Sequence, residues 1–232
     1  MPTAITALPR LPRRVAAVIF DMDGTLLDTE AVHRTAMRAA ADAIGQDFPD
    51  ALFLDLVGVH REENSRMLRD HFGEHFPIET FYADADARFE ALWRDGTPLR
   101  PGARDTLEWL ADREMPMAIA TSTTSPAAEE RLAHAGLARF FATVVTRSAV
   151  ERPKPDPEAY LLAARRLGVD PRDCIAVEDS PNGLRAAAAA GIMALLIPDL
   201  VPPSADAGAL AHAILPDLAA IHDLIEAAPA IV

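Results

Sequence analysis

Residues 15–25, Val15-Ala16-Ala17-Val18-Ile19-Phe20-Asp21-Met22-Asp23-Gly24-Thr25, decide how the rest of the chain is read. Six apolar residues run without a break into an acid. A strand covered on both faces of a sheet reads this way, because neither face tolerates a polar side chain. Sheets buried on both faces are parallel and lie between helices. The run therefore predicts an α/β protein.

The same pattern returns after Asp95-Gly96-Thr97-Pro98-Leu99-Arg100-Pro101-Gly102, the clearest linker by its Pro and Gly content. A helix is expected over Ala103 to Arg113, then a buried strand at Met117-Ala118-Ile119-Ala120. Further strands are expected at 143–146, 174–177 and 193–197, separated by helices ending at Gly136, Gly168 and Gly191. Ser125-Pro126, Asp156-Pro157 and Ser180-Pro181 each predict an N-cap followed by Pro at the first helical position. Between the first strand and the linker the chain is helical in pattern, broken at Gly45, Pro49, Gly58, Gly73 and Pro77. The organisation expected is an N-terminal arm over residues 1–14 and an α/β core from 15–28 and 98–232. A helical cap over 29–97 is inserted into it. The core is a Rossmann-like parallel sheet with helices on both faces, and the cap is all-α.

The chain has 232 residues, half of them apolar and 25% charged, which suits a folded protein with a sizeable core. A single cysteine, Cys174, excludes an intramolecular disulfide and reads as an inert core thiol. No apolar run reaches the roughly 18–20 residues that span a membrane, and Arg10, Arg13 and Arg14 precede too short an apolar stretch for a signal peptide. A cytoplasmic monomer is expected. The net charge of −13 argues against nucleic acid and anionic membranes as partners. Lys and Arg total 22, yet Lys154 is the only lysine. Where arginine serves every ordinary surface need, a lone lysine marks a position that wants a compact ammonium.

Ligands of open parallel sheets bind beyond the carboxyl ends of the strands. The first strand is followed by Asp21 and Asp23, the second by Thr121-Ser122, the third at some distance by Lys154, and the fourth by Glu178-Asp179. Carboxylates converging on one rim repel one another unless a cation lies among them. Oxygen donors of this kind suit Mg²⁺. One acid of the Asp21/Asp23 pair can act as nucleophile and the other as general acid and base. A phosphoryl centre fits, because the acyl phosphate formed is readily hydrolysed.

These residues carry a resemblance. Asp21-Met22-Asp23-Gly24-Thr25-Leu26, Ile119-Ala120-Thr121-Ser122, Lys154-Pro155-Asp156-Pro157 and Val177-Glu178-Asp179-Ser180 resemble, in order, the four motifs of the haloacid dehalogenase superfamily. The likeness spans roughly residues 15–225. It implies that Asp21 is the nucleophile and a metal ligand, and that Asp23 is the general acid/base with its backbone carbonyl on Mg²⁺. Thr121, Ser122 and Lys154 would hold the phosphate. Asp179 would complete the metal site with Glu178, either directly or through water. The cap stretches Asp28-Thr29-Glu30-Ala31-Val32-His33 and Gly58-Val59-His60-Arg61-Glu62 resemble those of a β-phosphoglucomutase, which makes His33 and Arg61 candidate substrate-binding residues.

Within the superfamily, Asp23 argues against dehalogenation and the lysine-free cap against a Schiff-base phosphonatase. The reading expected is a phosphatase of a small phosphorylated metabolite, with a sugar-phosphate mutase as the alternative and a silent binding module behind both. Pro153 departs from the small residue usual before the motif lysine. His71-Phe72-Gly73-Glu74-His75 fits a zinc-peptidase spacing, but Gly73 and Pro77 disfavour the intact helix such a site needs.

Overall fold

The computed structural model describes residues 10–57, 59–96, 98–200 and 205–229. In chain order the elements are β1 (Ala17–Phe20), α1 (Thr29–Ala43), α2 (Asp50–Leu56), α3 (Arg61–Phe72), α4 (Ile78–Asp95) and α5 (Ala103–Ala111). There follow β2 (Met117–Ala120), α6 (Ala127–His134), β3 (Thr143–Val145), α7 (Glu158–Leu167), β4 (Cys174–Glu178) and α8 (Pro181–Ala189). β5 (Met193–Leu196), α9 (Ala205–Leu210), β6 (Ala213–Ile214) and α10 (Ala220–Glu226) complete the chain. Two compact units result: the chain up to Leu27 with the chain from Leu99, and Asp28–Pro98.

The first unit is a parallel six-stranded sheet in the order β3-β2-β1-β4-β5-β6. β1 is central: Phe20 stands opposite Ile119 on one side and Val177 on the other. The two chain paths leave β1 in opposite directions, the switch point at which such sheets open a crevice. Every residue of β1, β2, β4 and β5 is buried. On one face Ile19, Ala118, Ala120, Ala176 and Ala194 form a core with Tyr160 and Ala163 of α7 and Leu184 and Ala187 of α8. The many alanines let these helices lie close to the sheet. Val18 and Phe20, equally buried, point to the opposite face by strand alternation, where Phe20 meets Phe141 edge-on. Each such side chain contributes about 1.5–3 kcal/mol on burial.

The ladder continues one rung past the strands. Asp21 N–H donates to Val177 O at 2.9 Å and Thr121 N–H to Val145 O at 2.9 Å, while Glu178 O accepts from Ile197 N–H at 2.8 Å. Asp21 and Thr121, the first polar residues after β1 and β2, and Glu178 at the end of β4 are thus held at the backbone by the sheet.

The second unit consists of α1–α4. Asp28 caps α1 by accepting from Ala31 N–H at 3.1 Å. Phe48, Phe72, Phe76 and Phe81 stack into an aromatic cluster. α3 ends at Gly73, whose φ of 103° continues no helix. The His71/Glu74/His75 spacing is therefore split by a helix end and is no metal motif.

Two of the three expected N-caps need correction. Ser180 is a true N-cap, its Oγ accepting from Gly183 N–H with Pro181 at the first helical position. At Ser125-Pro126 and Asp156-Pro157, however, the proline itself is the cap residue. Ser125 Oγ donates instead to Glu129, and Asp156 accepts from Glu158 N–H. Short side chains before proline satisfied a turn there rather than a cap. β6 with α9 and α10 was not foreseen. Trp109 stacks on His222 of α10 within the sheet-bearing unit, at 4.3 Å and 7°. Of the expected arm, residues 1–9 lie outside those described; Leu11 is buried and Arg14 pairs with Asp173 at 3.0 Å.

Candidate active site

Lys154 stands on the loop before α7, and its Nζ donates to Asp21 Oδ1 and Glu178 Oε1, both at 2.6 Å. All three side chains are nearly or wholly buried. Glu178 is fully enclosed: Oε1 accepts also from the Tyr160 hydroxyl at 2.5 Å, and Oε2 from Ser180 Oγ at 3.1 Å. It fits under the start of α8 only because residue 183 is glycine. A Cβ there would stand 1.9 Å from the Glu178 carboxyl carbon.

Asp21, Glu178 and Asp179 each present an oxygen within 4.8 Å of the others. Burial pushes Asp21 up to about 7, against the pull of Lys154 and with repulsion from Glu178. Burial likewise holds Asp179 well above the usual carboxylate range, with Asp21 and Glu178 adding to it. Burial works against the Lys154 charge, but Asp21 and Glu178 outweigh it and keep the ammonium protonated beyond the ordinary range. Three carboxyl groups gather here and the one ammonium pairs with two of them, Asp21 and Glu178; a divalent cation would relieve the surplus. The donors are all oxygen, which fits Mg²⁺. Gly24 leaves room for one of them, since a Cβ there would lie 2.2 Å from Asp179 Oδ2. Both Glu178 oxygens are already engaged, so Asp21 and Asp179 are the side chains most open to a metal.

The Asp23 carboxylate takes other partners. Thr123 Oγ1 donates to it at 2.6 Å and Arg131 Nη1 at 3.2 Å. Thr121 is buried, its Oγ1 accepting from Thr123 N–H at 3.0 Å, and Ser122 beside it is exposed. Pro153 does not keep Lys154 from its carboxylates.

His33 and Arg61 belong to the helical unit and line a cavity of about 250 Å³ there. His33 stacks on Phe89 at 4.1 Å. Arg61 pairs with Asp86 at 2.8 Å and lies 4.0 Å over the Tyr82 ring.

Sequence reading missed Tyr160, Thr123, Arg131 and the close approach at Gly183. Thr123 offered a weak signal as a further hydroxyl just past the second strand. Cys174 is buried in the core, as expected, and burial pushes its thiol up to about 12.

The haloacid dehalogenase-like hydrolase family matches residues 15–191. A phosphorylated carbohydrates phosphatase of Thermotoga maritima is 35% identical over 76% of this chain and 82% of its own length. The fructose-1-phosphate phosphatase YqaB of Escherichia coli is 36% identical over 78% of this chain and 96% of its own. Among solved structures, a Thermotoga maritima protein provisionally called a beta-phosphoglucomutase superposes with a TM-score of 0.78. It is 30% identical, over 91% of this chain and 99% of that one. No helix among the described residues is long and apolar enough to cross a membrane.

Proposed function

The chain belongs to the haloacid dehalogenase-like hydrolases, and on that premise we propose that it is a Mg²⁺-dependent phosphatase of a small phosphorylated metabolite, a sugar phosphate or similar compound. The observation that carries the reading is the meeting of Asp21, Lys154 and Asp179 at the carboxyl ends of β1 and β4. The two phosphatase relatives named above support the substrate class.

An Asp21 oxygen attacks phosphorus and the bond to the leaving oxygen breaks, with Asp23 supplying that oxygen's proton. An aspartyl phosphate results. Water then attacks it, Asp23 takes the water's proton, and inorganic phosphate leaves as the Asp21 carboxylate returns. Lys154, Thr121 and Ser122 bind the phosphoryl oxygens and offset the charge that develops on them. Asp21, Asp179 and the Asp23 carbonyl would hold Mg²⁺, which when bound supplies positive charge to the phosphoryl group. Thr123 and Arg131 orient Asp23. Substrate selection falls to the helical unit's cavity, with His33 and Arg61 on its wall.

A sugar-phosphate mutase would use the same first step, and one structural relative carries that provisional name. It needs a cation for a second phosphate. Residues 28–98 contain no lysine, which favours the phosphatase.

The test is phosphate release from a panel of phosphomonoesters that includes β-glucose 1-phosphate. The expected result is release that EDTA abolishes and that Asp21→Asn lowers by at least about a thousandfold. Conversion of β-glucose 1-phosphate to glucose 6-phosphate with a bisphosphate primer, and no release, would replace the phosphatase by the mutase.

A further inference from the structure

We infer that the Tyr160 hydroxyl is a positioning group for Lys154, acting through Glu178. The effect on rate rests on the phosphatase reading; the placement of Lys154 does not.

Tyr160 lies on α7 with no exposed surface. Its hydroxyl and the Lys154 ammonium converge on one oxygen, Glu178 Oε1, at 2.5 and 2.6 Å. The ammonium also lies 5.0 Å from the centre of the Tyr160 ring. One side chain thus meets both halves of the pair, its hydroxyl on the carboxylate and its ring beside the cation. Ser180 grips the other Glu178 oxygen and is itself fixed by Gly183 N–H at 3.1 Å. The carboxylate is held from α7 on one side and from α8 on the other.

Lys154 needs such an anchor. It stands on a loop, and its four-carbon stem is flexible. Its backbone alone does not aim the ammonium. The carboxylates do, and Glu178 is the fixed one. A phenol also explains itself here better than a benzene ring. A buried hydroxyl must find a partner, and burial beside Glu178 keeps this one protonated, hence a donor. With phenylalanine the space stays filled, but Glu178 Oε1 keeps a single donor. Its charge then falls on the ammonium alone, drawing it toward Glu178 at the expense of Asp21, where the phosphoryl oxygens are handled.

The lone lysine makes this measurable. Protein grown on lysine labelled with ¹³C and ¹⁵N at the side-chain end gives one side-chain signal, that of Lys154. In the full chain with Mg²⁺ the ammonium protons should exchange slowly with water. Tyr160→Phe should speed that exchange about tenfold and lower kcat about tenfold, with little change in KM or Tm. A Lys154 signal left unchanged overturns the proposal, whatever Tm does, and so does a changed signal with kcat within about twofold of the parent. If the parent releases no phosphate from any ester, the phosphatase reading falls, while the Lys154 signal still decides the positioning. Should Tyr160→Phe fail to fold, replacing the two tyrosines by 3-fluorotyrosine keeps the hydroxyl and makes it a stronger donor. The Lys154 signal should then shift, and a signal that stays put overturns the proposal.

Discussion

At the scale of single residues the site is a problem of charge. Lys154→Met removes the one ammonium and leaves Asp21 and Glu178 buried without it. Breaking a buried pair from one side costs about 3–5 kcal/mol. Urea denaturation near neutral pH should show that loss, and a smaller one in acid, where Asp21 takes up a proton instead. Phosphate release should fall at least about a hundredfold. The native Asp21 carboxyl titrates at about 7, above its ordinary 3.8. The metal-free native state therefore binds more protons than the unfolded chain across that interval, and its stability falls as pH rises through it. Mg²⁺ competes with those protons. Scanning calorimetry should find a larger gain in Tm on adding Mg²⁺ at about pH 8 than at about pH 5. Residue identity alone carried part of this. Lys154 stood out as the only lysine in the chain, whereas Arg131 was one of 21 arginines and gave no sign that it meets Asp23. Tyr160 was hidden for another reason: an aromatic in a helical pattern reads as core, and it is core as well as partner.

At the scale of elements the close approaches matter most. Gly183→Ala places a carbon 1.9 Å from the Glu178 carboxyl carbon, where α8 crosses the end of β4. Alanine favours a helix by about 1 kcal/mol, but overpacking costs about 1–3 kcal/mol and here it also displaces the anchor of Lys154. Both stability and kcat should drop. Gly45→Ala is the control. Its φ of 74° is strained for alanine, yet nothing lies within 4 Å. It should cost about 1 kcal/mol of stability and leave kcat unchanged. The strands at the heart of the sheet were legible because double burial leaves only apolar residues in them. β6 was not, because two residues, one of them exposed, hold no pattern. The caps were half legible. Ser or Asp before Pro reports a helix start, but only the backbone decides which residue takes the capping role.

At the scale of the whole molecule the net charge of −13 repels a phosphorylated substrate from a distance. Added salt screens that field. At constant free Mg²⁺, kcat/KM should therefore rise as ionic strength is raised from low values toward the physiological range, the reverse of what a steered substrate shows. The Pro/Gly linker of 95–102 spans one of the two breaks between the compact units. How the two breaks meet was not legible in the sequence. Leu27 bridges to Leu99 within the sheet-bearing unit, and Asp28 N–H donates to Pro98 O at 3.0 Å within the helical one. Those pairings have a consequence for how the chain folds. Bringing the ends of a slack segment of about seventy residues together costs about 4 kcal/mol of closure entropy. If the helices of 28–98 assemble first, their own ends are already adjacent. β1 and β2 then search for each other across an effectively short loop, and destabilising the helical unit should slow refolding of the sheet.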